Sequence, residues 1–154
     1  MSDTTSQHPA ADPVARAAEL FAQGISCSCA VLAAVAPRLG LPEDQAARVA
    51  CCFGGGMIGS GKTCGAVTGA MMALGLAHGS GVTVDLPRKQ AAYAKTAELW
   101  GRFAERHGSI ACKEILGVDL STPEGRAQAA ADGLFKTRCA PVVRSATELL
   151  LSLL

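Results

Sequence analysis

The sequence predicts an all-α fold, a compact bundle of about seven to eight helices around a central Gly/Ala-rich apolar helix. Three observations lead there. Apolar residues recur at the i, i+3, i+4, i+7 spacing of one helix face, and no sustained alternation marks a strand. Helix starters (Ser, Thr, Pro) and a stopper (Gly) punctuate the chain at helix-length intervals. Nearly half of the 154 residues are apolar, yet only 4% are aromatic and 17 are glycine, a composition suited to closely packed helices. The length supports a core without disulfides and reads as one helical, cysteine-containing domain over residues 13–154, behind a loose, disordered tail over residues 1–12.

The first helix follows from Val14, Ala17, Ala18 and Phe21, with Gly24 as its stop. Ser26 can cap a second helix from Cys27 to Leu39, ended by Gly40. Pro42 opens a third, with Glu43 and Asp44 in the first turn and a stripe of Ala46, Val49, Ala50 and Phe53. Cys51 points away from that stripe and Cys52 lies at its edge. A glycine-rich loop follows, then a helix from Cys64 to Ala77 that is apolar on every side and so belongs at the centre of the bundle. Gly65, Gly69 and Gly75 within it imply close approach of neighbouring backbones. Gly79 to Gly81 closes it, and Val82 to Leu86 can run extended. Pro87 opens a long helix to His107, with Tyr93, Ala97, Trp100 and Ala104 as its buried stripe and a Glu98/Arg102 pair on its surface. Gly108 ends it, and Ser109 can cap a short helix holding Cys112, Ile115 and Leu116. Ser121 to Glu124 signals another start, and Thr137 can cap a last helix from Arg138 to Leu154, with Pro141 in its first turn.

Charge and hydropathy exclude several classes of function. With 14 basic and 13 acidic residues and no basic run, the chain lacks the footprint of a nucleic-acid binder. Its most apolar stretches fall well short of the ~20 residues of a membrane span, and the first residues have no signal-peptide pattern, so a cytoplasmic protein is expected. Seven cysteines in a reducing compartment point to metal binding or redox work rather than structural disulfides.

The cysteines are not scattered at random. Cys27, Cys64, Cys112 and Cys139 each fall in the first turn of an expected helix, where unpaired N–H groups and the helix dipole favour thiolates or an anionic metal–sulfur group. Cys64 follows the glycine loop and is expected to ionise more easily than a free thiol. Cys29 lies about 200° around its helix from Cys27, so the two do not easily share a site. The absence of Cys-x-x-Cys removes the thioredoxin-type motif and the paired zinc knuckle.

Gly24-Ile25-Ser26-Cys27, Phe53-Gly54-Gly55-Gly56-Met57, Cys64-Gly65-Ala66-Val67-Thr68-Gly69, Cys112-Lys113-Glu114-Ile115-Leu116-Gly117 and a late Cys139 resemble the C_GCAxxG_C_C family of redox-active proteins, over about Ala17 to Val142. The resemblance implies a small protein whose four family cysteines match Cys27, Cys64, Cys112 and Cys139, from a family often encoded near transporter genes. Cys29, Cys51 and Cys52 are additions to that pattern.

One motif competes. Gly56 to Thr63 satisfies the phosphate-binding pattern G-x-x-x-x-G-K-[ST], which requires a preceding strand and a parallel sheet, whereas helices are expected on both sides here. Lys62 then supplies positive charge beside Cys64 or is simply solvated. His8, His78 and His107 read as tail or surface helix-end residues, and Met57, Met71 and Met72 as packing residues. The expected function is a redox protein whose Cys27, Cys64, Cys112 and Cys139 hold an iron–sulfur cluster for electron transfer, with Gly54, Gly55, Gly56 and Gly65 lending backbone N–H groups. The alternatives are a metal-free thiol–disulfide protein, with Cys64 attacking and a second cysteine such as Cys27 resolving, and a zinc or copper thiolate site. A redox partner and a homodimer are expected, the latter from the apolar C-terminus and the outward Cys51.

Overall fold

Helix α4 (Gly65–His78) is the axis of the bundle: Ala66, Val67, Ala70, Ala73 and Leu74 lose all contact with solvent. In the computed structural model, which describes residues 12–154, α4 is flanked by α2 (Cys27–Val35), α5 (Leu86–His107) and α8 (Ala140–Leu153). The first helix, α1 (Pro13–Ala22), crosses α2 and α8, and α3 (Glu43–Ala50) packs on the far side of α2. Two short helices, α6 (Cys112–Leu116) and α7 (Pro123–Ala131), complete an all-α architecture with no strand among the described residues. The core holds Leu32, Leu74, Leu99, Phe103, Leu149 and Leu150, each worth ~1.5–3 kcal/mol on burial.

The central position of α4 rests on two of its glycines. A Cβ at Gly69 would stand 2.6 Å from the Ser28 carbonyl oxygen, and one at Gly65 would meet the Cys27 sulfur and lie 3.0 Å from the Phe53 carbonyl oxygen. Residues 65 and 69 are one turn apart, so together they clear a flat seat for the first turn of α2. Gly75 has open space around it, contrary to the expectation that all three glycines serve packing.

Side-chain caps form at three helix starts, but Ser26 holds the N-cap position of α2 without a capping bond, and Ser109 accepts the Ala111 N–H instead of capping α6. Asp12 accepts the Val14 N–H, Asp85 the Arg88 N–H and Thr122 the Gly125 N–H, while Gly108 and Gly117 end their helices with positive φ. The second helix is shorter than expected: after Val35 it tightens into a 3-10 turn, Ala36–Leu39, around Pro37. The last helix starts differently. Thr137 caps nothing, its hydroxyl donating to the Gly133 carbonyl, and residues Phe135–Cys139 form a π-helical turn that runs straight into α8.

Two expected stripes are corrected. On α5 the core takes Ala92, Leu99 and Phe103, whereas Tyr93 is 68% and Trp100 41% exposed. The helix carries two neighbouring apolar stripes, and contact with both α4 and α8 selects the one holding Phe103. Trp100 lies over the edge of α4 with its indole N–H on the Met71 sulfur at 3.3 Å. On α3, Ala46 and Ala50 are buried but Val49 is exposed, and the chain leaves α-geometry at Cys51–Phe53 for a 3-10 turn, so the expected stripe does not continue to Phe53 on one helix. The surface pair Glu98–Arg102 forms at 3.6 Å. Val82 and Val84 are exposed and belong to no strand. Of the expected tail, residues 1–11 and with them His8 lie outside the described residues.

Candidate functional site

Four elements deliver one cysteine each to a common cavity. Cys27 is the first residue of α2, Cys64 the N-cap of α4, Cys112 the first residue of α6, and Cys139 the last residue of the π-helical turn. All four line a cavity of about 500 Å³ whose remaining walls are mostly apolar. A single antiparallel bridge, Thr63 to Ala111, brings two of them together: the Cys64 N–H donates to the Ile110 carbonyl at 2.7 Å, and the Cys112 N–H to the Lys62 carbonyl at 2.6 Å. Arg138 ties the π-helical turn to α6 by donating to the Ile115 carbonyl at 3.1 Å. Gly65, lacking a side chain, leaves room for the Cys27 sulfur.

The glycine loop turns with the opposite hand from the helices. Gly55, Gly56, Met57, Ile58 and Gly59 have φ of 63°, 70°, 67°, 48° and 72°, five successive left-handed residues. The turn is closed by N–H donation from Met57 to Phe53, Ile58 to Cys52 and Gly59 to Gly54. Left-handed geometry costs ~1–2 kcal/mol per non-glycine residue, so Met57 and Ile58 store strain beside the cavity. Glycine at 56 is compulsory for a second reason, since a Cβ there would lie 2.7 Å from that of Cys112. Gly55 lines the cavity and its N–H donates to the Cys27 sulfur. The loop is therefore not a phosphate cradle of the strand–loop–helix type: a 3-10 turn precedes it, and Lys62 is exposed and does not line the cavity.

The sulfurs differ in how readily they ionise. The Cys27 thiol is brought down to about 6 from an ordinary value of 9.0, first by the S–H of Cys64 and then by the N–H groups of Gly55, Ser28 and Cys27 itself, which together outweigh burial. Cys64, expected to be the easily ionised thiol, is the reverse. Donating its proton to Cys27, being buried and facing that charge hold it well above the ordinary range, despite the N–H groups of Ala66 and Val67. Burial and the Cys27 charge push Cys112 up to about 11, and burial with the charges of Cys27 and Cys112 pushes Cys139 up to about 12. With no group bound, the cavity thus holds one thiolate and three thiols near neutral pH.

Cys139 also departs from the first-turn pattern. Its φ and ψ are helical and its turn is continuous with α8, so no free helix N-terminus faces it. Of the four glycines expected at the site, Gly55 and Gly65 line the cavity, Gly54 lies under Ser26, and Gly56 backs Cys112. Cys29 is buried away from the cavity, its S–H on the Ala47 carbonyl at 3.1 Å, and Cys51 and Cys52 are exposed. His78 bonds the Leu153 carbonyl at 3.1 Å. His107 is not a surface cap: its ring packs on Phe103 with centroids 4.6 Å apart, and its Nε2 is buried without a partner. The sequence reading missed Phe135 and Lys136, which line the cavity, and their position just before Cys139 was the available signal.

The donor chemistry of four thiols suits a thiolate-bound metal–sulfur group. Among the described residues no three Cys, His, Asp or Glu side chains stand close enough together to hold one metal ion.

A family model described as "Putative redox-active protein (C_GCAxxG_C_C)" matches residues 11–153. The chain belongs to the C_GCAxxG_C_C family. The family pattern now has a physical reading: its Cys-Gly-Ala-x-x-Gly block is the start of α4, the cysteine standing at the N-cap position and the two glycines seating α2. A protein of Archaeoglobus fulgidus whose name is "Uncharacterized protein" is 29% identical over 145 residues, covering 89% of each chain. No solved structure matches the chain. Redox activity is the family's description, and no helix among the described residues is long and apolar enough to cross a membrane.

Proposed function

We propose that this member of the C_GCAxxG_C_C family is an electron-transfer protein whose Cys27, Cys64, Cys112 and Cys139 hold an iron–sulfur cluster. One observation carries the reading: four thiols from four separate elements line the same apolar cavity, and a dithiol mechanism would employ only two of them. A bound cluster would supply one-electron redox chemistry. The chain's part is to provide four thiolates, to bury Cys64 and Cys112 and half-bury Cys27 and Cys139, and to place N–H donors on sulfur. The N–H groups of Gly55 and Ser28 on the Cys27 sulfur stabilise added negative charge and so favour the reduced state.

A second reading rests on Cys27 and Cys64 sharing the cavity, with the Cys27 thiol brought down to about 6 chiefly by Cys64. The Cys27 thiolate would attack a partner disulfide, forming a mixed disulfide and releasing one partner thiolate. Cys64, having lost its proton to solvent, would then displace the second partner thiolate and leave a Cys27–Cys64 disulfide. Oxygen-free purification separates the two. A brown protein with stoichiometric iron and sulfide supports the cluster. A colourless, metal-free protein that cycles between Cys27–Cys64 dithiol and disulfide overturns it in favour of the second reading.

A further inference from the structure

The cavity is larger and differently lined than the four sulfurs require. Its volume, about 500 Å³, falls in the ~300–1,000 Å³ range of small-molecule sites, and protein interiors otherwise pack to crystal-like density. Away from the sulfurs, Phe21, Ile115, Leu116 and Val142 form an apolar wall. The exposed members of the lining are Ala22, Gly24, Ile25 at 36%, Phe135 at 39% and Lys136, and they mark the side open to solvent. Lys136 is the one charged side chain in the lining, and no carboxylate shares it. Phe135 and Lys136 sit on the π-helical turn that ends in Cys139, an irregularity frequent at functional sites.

We propose that the cavity binds a small, largely apolar organic molecule carrying one anionic group, with its apolar body beside the sulfurs and its charge at Lys136. The lining sets the orientation, because its one cationic side chain, Lys136, is exposed at the open side while the rest of the cavity offers cysteines and apolar walls. The proposal rests on the reading of this cavity as the redox site and names the class of molecule that would meet the sulfur centre there. It makes the protein a candidate for acting on a small substrate as well as passing electrons to a protein.

The test uses the full chain purified without oxygen, with iron and sulfide measured on the same sample. Two fluorescent probes share an apolar body: 8-anilinonaphthalene-1-sulfonate is anionic and N-phenyl-1-naphthylamine is neutral. The expected result is saturable binding of one probe per chain that raises the melting temperature, since a ligand of the native state stabilises it. Filling the cavity by Ala18→Trp or, independently, Ala140→Phe weakens both probes roughly tenfold or more. Lys136→Gln weakens the anionic probe roughly threefold, as an exposed ion pair allows, and leaves the neutral one unchanged. Circular dichroism and the melting temperature of each variant establish that it is folded. Binding that never saturates, that lowers the melting temperature, or that survives in a folded cavity-filled variant overturns the proposal, as does a Lys136→Gln variant with an unaltered preference between the probes. Iron-containing protein that binds neither probe refutes this inference alone. Probe binding in iron-free protein refutes the cluster and leaves the binding site standing.

Discussion

Replacing Cys64 by Ala should raise the pKa of Cys27 by about one to two units. A hydrogen bond to a charged group contributes ~1.5–3 kcal/mol and one pKa unit corresponds to ~1.4 kcal/mol. Losing the S–H donor therefore moves Cys27 from about 6 to between ~7 and ~8, while the N–H groups of Gly55, Ser28 and Cys27 keep it below the ordinary 9.0. Site-resolved alkylation by iodoacetamide on metal-free, reduced protein reads this directly, with mass spectrometry separating Cys27 from the exposed Cys51 and Cys52. At pH 7 the thiolate fraction at Cys27 falls from about nine-tenths to between about a half and a tenth, and alkylation slows in proportion. Well above pH 8 the order inverts, because the more basic thiolate is the stronger nucleophile. The same change has a stability signature. A depressed thiol pKa stabilises the fold fully above the unfolded value near 9.0 and loses that contribution as pH falls through about 6. Cys64→Ala raises the lower edge of that window. An alkylation midpoint that stays near 6 in the variant refutes the assignment of Cys64 as the principal donor.

Two further outcomes follow from the backbone. Gly69→Ala, which would drive a Cβ to 2.6 Å from the Ser28 carbonyl oxygen, should cost about 1–3 kcal/mol or more in urea unfolding, whereas Gly75→Ala, with nothing within 4 Å, should gain ~0.4–1 kcal/mol. Equal effects at the two positions would contradict the seat described for α2. Ile58→Gly should stabilise the protein by about 1 kcal/mol, because Ile58 is 83% exposed and holds φ of 48°; a loss of stability would show that the left-handed turn does not form.

The starts of α1, α2, α4, α6 and α7 were legible because Pro, Ser, Thr and Gly punctuation is local, although at α2, α4 and α6 no side chain makes the capping bond. The helix-start positions of Cys27, Cys64 and Cys112 were legible too, but that these starts face one cavity is a fact of the tertiary packing. Cys139 reached the same cavity by a route no cap signal describes, a π-helical turn set by the packing of Arg138 onto α6. The order of ionisation between Cys27 and Cys64 was hidden for a similar reason: both sit at helix starts, and the S–H bond that decides between them joins residues 37 positions apart. Glycines at 55, 56 and 59 announced a loop, but the left-handed geometry of Met57 and Ile58 is imposed by the closing bonds to Cys52, Phe53 and Gly54. On α5, residue size favoured the stripe of Tyr93 and Trp100, and only the two flanking helices reveal that the core takes Leu99 and Phe103.

The central claim is the four-member cysteine centre, and iron with acid-labile sulfide per chain, measured without oxygen across single Cys→Ser variants, tests it most directly. The account predicts that Cys27→Ser, Cys64→Ser, Cys112→Ser and Cys139→Ser each lose or sharply deplete the cluster, while Cys29→Ser, Cys51→Ser and Cys52→Ser keep the iron and sulfide of the parent protein. Full loading in any of the first four, or depletion in Cys51→Ser or Cys52→Ser, would contradict it.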